Sequence, residues 1–208
     1  MARKTKEDAE KTFHCLLDSA TNLFSEQGVA ATTLNDIAKN VGMTRGAVYW
    51  HFPNKDAVIM ALWERNAGSM HAEFMQVMSK LDEQQPLACF VTQLKAVLRN
   101  VLTDSSLNQA MRIVTSSLEF TNESSPLQRF LQQRKAQIYD ALRDALNQLQ
   151  QQHLIRNDLA LDLISNGLWA YITGLFHTHL EMGSSKIDIA TQSDQLLDLW
   201  LQAILQPS

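Results

Sequence analysis

Cysteine is scarce: the 208-residue chain holds two, Cys15 and Cys89, far apart and each in an apolar helical context. That excludes a disulfide framework and predicts two buried thiols in a reducing cytoplasm. No apolar run approaches the roughly 20 residues that cross a bilayer, so no membrane partner is expected. The opening MARKTKEDAEK has no apolar stretch behind it and does not read as a secretory signal. Strand patterns, internal repeats and low-complexity segments are missing as well. The QLQQQ run at 148–152 reads as a solvated helix face. There is no GxSxG, phosphate loop or dinucleotide fingerprint. The six histidines are scattered. His177 and His179 have no further ligands nearby, and His14 and Cys15 adjoin on one helix and cannot both face a common substrate. Neither an enzyme nor a metal or organic cofactor is expected. A basic excess is also lacking, since the net charge is -4. Residues 1–56 hold seven basic and seven acidic side chains, and residues 57–208 hold eleven and fifteen. Charge therefore does not announce nucleic acid, although a compact reader needs few cations, because hydroxyls, amides and helix N-termini also contact phosphate.

What is present is helix, almost throughout. With 45% hydrophobic and 19% charged residues the chain is of ordinary globular composition. Residues 1–11 read as a polar arm carrying Arg3, Lys4, Lys6 and Lys11, which is either a frayed terminus or an arm along DNA. Leu16, Leu17, Ala20, Leu23 and Phe24 give the buried stripe of a helix over 9–27, closed by Gly28. Thr33 and Asp36 form a capping-box pattern; Leu34, Ile37, Ala38 and Val41 then face inward, and Gly42 permits a turn. Thr44 caps a helix over 45–52, which Pro53 stops. Asn54 caps a long helix from 55 to beyond 75, in which Gly68 is a kink candidate. Further helices are expected over 86–103, 107–120, 126–153, 159–180 and 189–205. The fold class is all-α, with about nine helices.

The two short helices around Gly42 have the spacing of a helix-turn-helix. In that motif the second helix enters the major groove with its N-terminal residues on base edges. Thr44 and Arg45 stand at that end, and Arg45 is the candidate for bidentate contact to guanine. Gly46 and Ala47 are small enough for close approach. Tyr49, His51 and Lys55 can reach phosphates, as can Thr33 from the preceding helix. Trp50 faces either the sugar-phosphate wall or its own domain, while Val48 and Phe52 go to the core. Taken singly, Tyr49 is equally a core tyrosine and His51 a packing or capping histidine. The motif as a whole, not any one residue, favours DNA.

The segment TTLNDIAKNVGMTRGAVYWHFPNKDAV, with LLDSATNLFSEQGVAATT before it, resembles the signature of the TetR family of transcriptional repressors over about the first quarter of the chain. MARKTK, AVYWHF and the overall length resemble its AcrR-like branch, which represses multidrug efflux pump genes. The resemblance implies a DNA-binding domain over 1–54 and a ligand-binding and dimerisation domain over 55–208. It also implies a homodimer through the last two helices, an inverted-repeat operator in double-stranded DNA, and release by a small-molecule inducer. The DNA residues it carries over are Thr33, Thr44, Arg45, Gly46, Tyr49, Trp50, His51 and Lys55. Members often have arginine where this chain has Phe13, so one phosphate contact is in doubt unless Lys11 or His14 replaces it. A regulator of metabolic genes, such as fatty-acid genes, an activator, or a dimeric interaction protein with a vestigial motif remain as alternatives.

For the ligand the resemblance supplies only a scaffold. An apolar pocket with a few polar groups is expected from Trp63, Met70, Phe74, Phe90, Met111, Glu119, Phe120, Trp169 and Phe176. Each apolar member of this set is equally a core residue. Glu119, between Leu118 and Phe120, would favour a hydrophobic, cationic ligand, and the eight methionines suit an adaptable surface.

Overall fold

The structure, a computed structural model, describes residues 6–118, 125–182 and 188–205. Among them lie α1 (Lys6–Gln27), α2 (Leu34–Asn40), α3 (Arg45–His51), α4 (Lys55–Ser79), α5 (Pro86–Thr103), α6 (Ser105–Leu118), α7 (Pro126–Gln151), α8 (Leu161–Met182) and α9 (Ile189–Gln202). The one β pairing among the described residues is an isolated bridge between Ile155 and Leu205. The all-α expectation holds. The expected polar arm is shorter than its charge suggested, because residues 6–11 are the first turns of α1, where Lys11 pairs with Glu7 at 2.7 Å. Arg3 and Lys4 lie outside the described residues. Cys15 and Cys89 are both free thiols, half-buried rather than buried as expected.

Two compact units divide the chain. The first comprises residues 1–68 and 109–132, the second 69–108 and 133–208.

The core of the first unit is built from Leu16, Leu17 and Ala20 of α1, Ile37 and Ala38 of α2, Val48 of α3, and Val58, Ile59 and Leu62 of α4, all but closed to solvent. Ala38 is small where α2 meets its neighbours. Polar groups lock the same helices. The Ser19 hydroxyl donates to the Ile37 carbonyl at 2.9 Å and accepts from Asn40 at 3.1 Å. Arg65 of α4 reaches Asp18 of α1 at 2.7 Å. The second chain segment is tied in by Gln109, which donates to Ser25 at 2.8 Å, and by the Leu127 amide at the start of α7, which donates to Asp56 at 3.3 Å. Trp63 and Phe130 meet edge to face at 5.4 Å.

In the second unit, Phe74 and Met78 of α4, Phe90, Leu94 and Leu98 of α5, Leu142, Leu146 and Leu149 of α7, Ile164 and Leu168 of α8, and Leu197 and Leu201 of α9 share one apolar core. Two ion pairs run along its α5–α9 contact, Lys95 to Asp198 and Arg99 to Asp194, each at 2.6 Å. The Tyr171 hydroxyl donates to the Leu196 carbonyl at 2.6 Å, fastening α8 to α9.

Candidate nucleic-acid interface

The helix-turn-helix is set by local chemistry. At the N-terminus of α2 the Asp36 amide donates to the Thr33 hydroxyl oxygen at 3.2 Å, and the Thr33 amide donates to the Asp36 carboxylate at 3.0 Å. The Thr33 hydroxyl itself donates to that carboxylate at 2.6 Å. The capping box is complete, with aspartate in the position that usually holds glutamate. These hydrogen bonds, side chain first and backbone second, hold the Asp36 carboxyl below its ordinary pKa of 3.8. Folding then binds fewer protons than unfolding at acid pH. The contribution is complete above the ordinary value and is lost as pH falls through the lowered one. The stability difference between wild type and Asp36→Ala, read from thermal melts from about pH 6 to about pH 2, is expected to stay level at the upper end and shrink at the lower end. A difference that grows on acidification would contradict the role of the box.

At the other end of α2 the Met43 amide donates to Ala38 at 2.9 Å and the Gly42 amide to Lys39 at 3.0 Å, with Gly42 at φ +66°. This is a Schellman stop with glycine at the left-handed position. A side chain at Gly42 has open space, so its cost would be conformational, about 1–2 kcal/mol. Thr44 then caps α3 by accepting from the Ala47 amide at 3.2 Å.

α3 buries one residue, Val48. Arg45, Tyr49 and Trp50 point away from the core, whereas His51 is half-buried. Thr44, Arg45 and Gly46 are exposed, Tyr49 is 44% exposed and Trp50 72%. Two adjacent exposed aromatics on one short helix form an apolar surface that the core does not use. The Arg45 guanidinium lies over the Tyr49 ring, 5.1 Å from its centroid. This cation–π contact holds the arginine along the outer face, where its guanidinium offers five donors in a planar fork. Of the two orientations open to Trp50, the exposed one is observed. Its ring meets His51 edge-on at 4.5 Å. Phe13, in the place where an arginine was missed, packs at 5.1 Å against Phe52 and at 5.9 Å from His51. It therefore supports the C-terminal end of α3 from beneath. Lys55 is placed differently from the other candidates: it turns back toward the α1–α2 connection.

The expected ligand residues divide between the units. Trp63 and Met111 belong to the first; Met70, Phe74, Phe90, Trp169 and Phe176 belong to the second. Phe74 and Phe90 sit in the closed core, whereas Met70, Trp169 and Phe176 are half-buried. Glu119 and Phe120 lie outside the described residues. Sequence reasoning missed the supporting partners Phe13, Asp18, Asp56 and Arg65. For Asp18 and Arg65 the only signal was opposite charge at a separation of 47 residues, which a sequence cannot distinguish from chance.

Two family models match the chain. Residues 16–62 match the N-terminal model of bacterial regulatory proteins of the TetR family, and residues 85–206 match the C-terminal region of MAATS-type transcriptional repressors. The HTH-type transcriptional regulator AcrR of Shigella flexneri is 32% identical over 180 residues, 86% of this chain and 83% of the relative. Among solved structures, NalD, the secondary repressor of the MexAB-OprM multidrug efflux pump in Pseudomonas aeruginosa, superposes with a TM-score of 0.84. It is 25% identical and covers 98% of this chain and 100% of its own. SmeT, the repressor of the Stenotrophomonas maltophilia pump SmeDEF, superposes in its triclosan complex with a TM-score of 0.73. It is 28% identical, over 95% of this chain and 93% of that one.

Proposed function

The chain belongs to the TetR family and is a DNA-binding transcriptional repressor, not an enzyme; we propose that it represses a multidrug efflux pump operon and leaves its operator when a hydrophobic or cationic compound binds. The observation that carries the DNA reading is the outward face of α3, where Arg45, Tyr49 and Trp50 stand clear of a core that takes only Val48. Arg45 and Thr44 read bases; Tyr49, Trp50, His51 and the N-terminus of α2 at Thr33 meet the backbone, and Gly46 lets it approach. The efflux assignment is supported by what NalD and SmeT are named for, and the ligand class by the triclosan bound to SmeT.

Function divides near residue 54, with DNA reading before it and inducer binding and dimerisation after it. Among the described residues no helix is long and apolar enough to cross a membrane. A cytoplasmic site of action follows from the proposed DNA-binding role. Leu163 of α8 is 62% exposed and Leu199 of α9 64%. Large apolar side chains left open on the last two helices suit a homodimer interface. Such a dimer would present two α3 helices to an inverted repeat whose half-sites lie roughly 34–36 Å apart or at a related spacing. The inducer is received among helices of the second unit, where Met70 and Phe176 are half-buried and Trp169 packs against the edge of the core. It favours a dimer with the wrong α3 spacing, which is a population shift. The test is footprinting on the region upstream of the protein's own gene, with and without triclosan. Protection of an inverted repeat that triclosan releases is the expected result. Protection indifferent to triclosan and to cationic dyes would remove the efflux assignment, and no protection at all would remove the operator from that region.

A further inference from the structure

We infer that Lys55 acts on operator binding as a positioning residue, by holding the α1–α2 connection in place, and does not itself contact phosphate. The inference rests on the DNA reading above and revises the phosphate contact that the sequence suggested for Lys55. Lys55 is the first residue of α4, just after the recognition helix. Its ammonium lies 2.6 Å from the Val29 carbonyl, 2.9 Å from that of Thr32 and 3.4 Å from that of Ala30. A lysine ammonium has three donors and no acceptor, and here three carbonyls claim them. No hydrogen is left directed toward a phosphate, and the group is withdrawn far enough from water that burial lowers its pKa.

The segment it grips lies between helices, and its other polar ties all run through the Thr32 side chain, which accepts from Gln27 and donates back toward Gly28. After Gly28, at φ +84°, the chain turns sharply and cannot pair its carbonyls within a helix. Thr32 is fully buried and its hydroxyl donates back to the Gly28 carbonyl at 2.8 Å. Val29 is buried beside it. The carbonyls of residues 29, 30 and 32 converge on the ammonium, and without a cation there they would face one another and repel. The next residue is Thr33, whose capping box starts α2, and α2 in turn sets α3 through the Gly42 stop. Lys55 thus reaches back 23 to 26 residues and fixes where the first helix of the motif begins.

The experiment uses the full-length protein and a fluorescent duplex that the wild type selects from a random-sequence library, titrated over a series of KCl concentrations. Two variants are compared, Lys55→Met, which keeps the stem and loses the donors, and Lys55→Arg, which keeps the charge but cannot seat its planar fork among three converging carbonyls. Both are expected to weaken binding by about tenfold or more, the effect of losing hydrogen bonds to a charged group. The plots of log affinity against log salt are expected to run parallel to that of wild type. Amide hydrogen exchange over residues 28–36 is expected to quicken in both variants. A phosphate contact gives a different pattern: Lys55→Arg stays near wild type, and Lys55→Met lowers the salt slope by about 0.9 per lysine released. That pattern overturns the inference. So does a lower melting temperature with unchanged affinity, or loss of the fold in both variants by circular dichroism, either of which makes Lys55 structural only. A wild type that selects no duplex removes the DNA reading itself and is distinct from all of these.

Discussion

Phe52→Ala is expected to destabilise the protein by about 3–5 kcal/mol, the cost of removing a fully enclosed aromatic ring and leaving the hole. The side chain is 2% exposed and is flanked by Phe13 at 5.1 Å. Its backbone amide closes α3 on the Val48 carbonyl at 2.8 Å. Pro53 follows, so the chain cannot extend the helix to refill the space. Phe13 would lose its partner, and with it the support under His51 would weaken. Urea unfolding reads the effect as a fall in midpoint at unchanged slope. A loss below about 1 kcal/mol, the size of an ordinary surface substitution or less, would mean that Phe52 is not the keystone between α1 and the end of α3.

The second large effect belongs to Arg45. Arg45→Ala is expected to cost about 1–3 kcal/mol at each half-site through the lost base contact. A dimer bound to both halves would feel it twice. The loss should appear in the ratio of specific to non-specific affinity, because base contacts specify and phosphate contacts only position. Arg45→Lys should recover little, since an ammonium lacks the planar fork that matches guanine and stacks on Tyr49. Competition titrations at fixed salt, operator against random duplex, measure the ratio. Equal losses on both duplexes would reassign Arg45 to the phosphate backbone and move base reading elsewhere on α3.

The parts of this molecule that could be read from its sequence are those whose physics is local. Thr33 and Asp36 are three residues apart, Gly42 and Thr44 two, and Pro53 comes one residue past its helix, after the cap Phe52; each acts on its own neighbours, and each does in the structure what its type and spacing imply. The start of α1 was misplaced because lysines and glutamates carry no apolar signal, yet at four-residue spacing they pair along a helix as Lys11 and Glu7 do. Lys55 was read by its charge, pointed at phosphate, because nothing in a sequence shows three carbonyls converging from 23 to 26 residues upstream. Asp56 and Leu127, 71 residues apart, were further out of reach. The ligand set was blurred for another reason: an apolar residue at helical spacing looks the same whether it fills a core, as Phe74 and Phe90 do, or lies half-buried like Met70 and Trp169.

The first compact unit is assembled from two separate lengths of chain, 1–68 and 109–132, and this bears on how such repressors can be recombined. A hybrid spliced near residue 54 would take its operator specificity from one parent and Asp56, Trp63, Gln109, Leu127 and Phe130 from the other. Ser25 and Asp18 would then meet whatever the other parent carries in place of Gln109 and Arg65, and the helices of the motif would rest on a foreign α4. Transplanting the specificity of this protein intact calls for both lengths together, which takes three junctions in the gene rather than one.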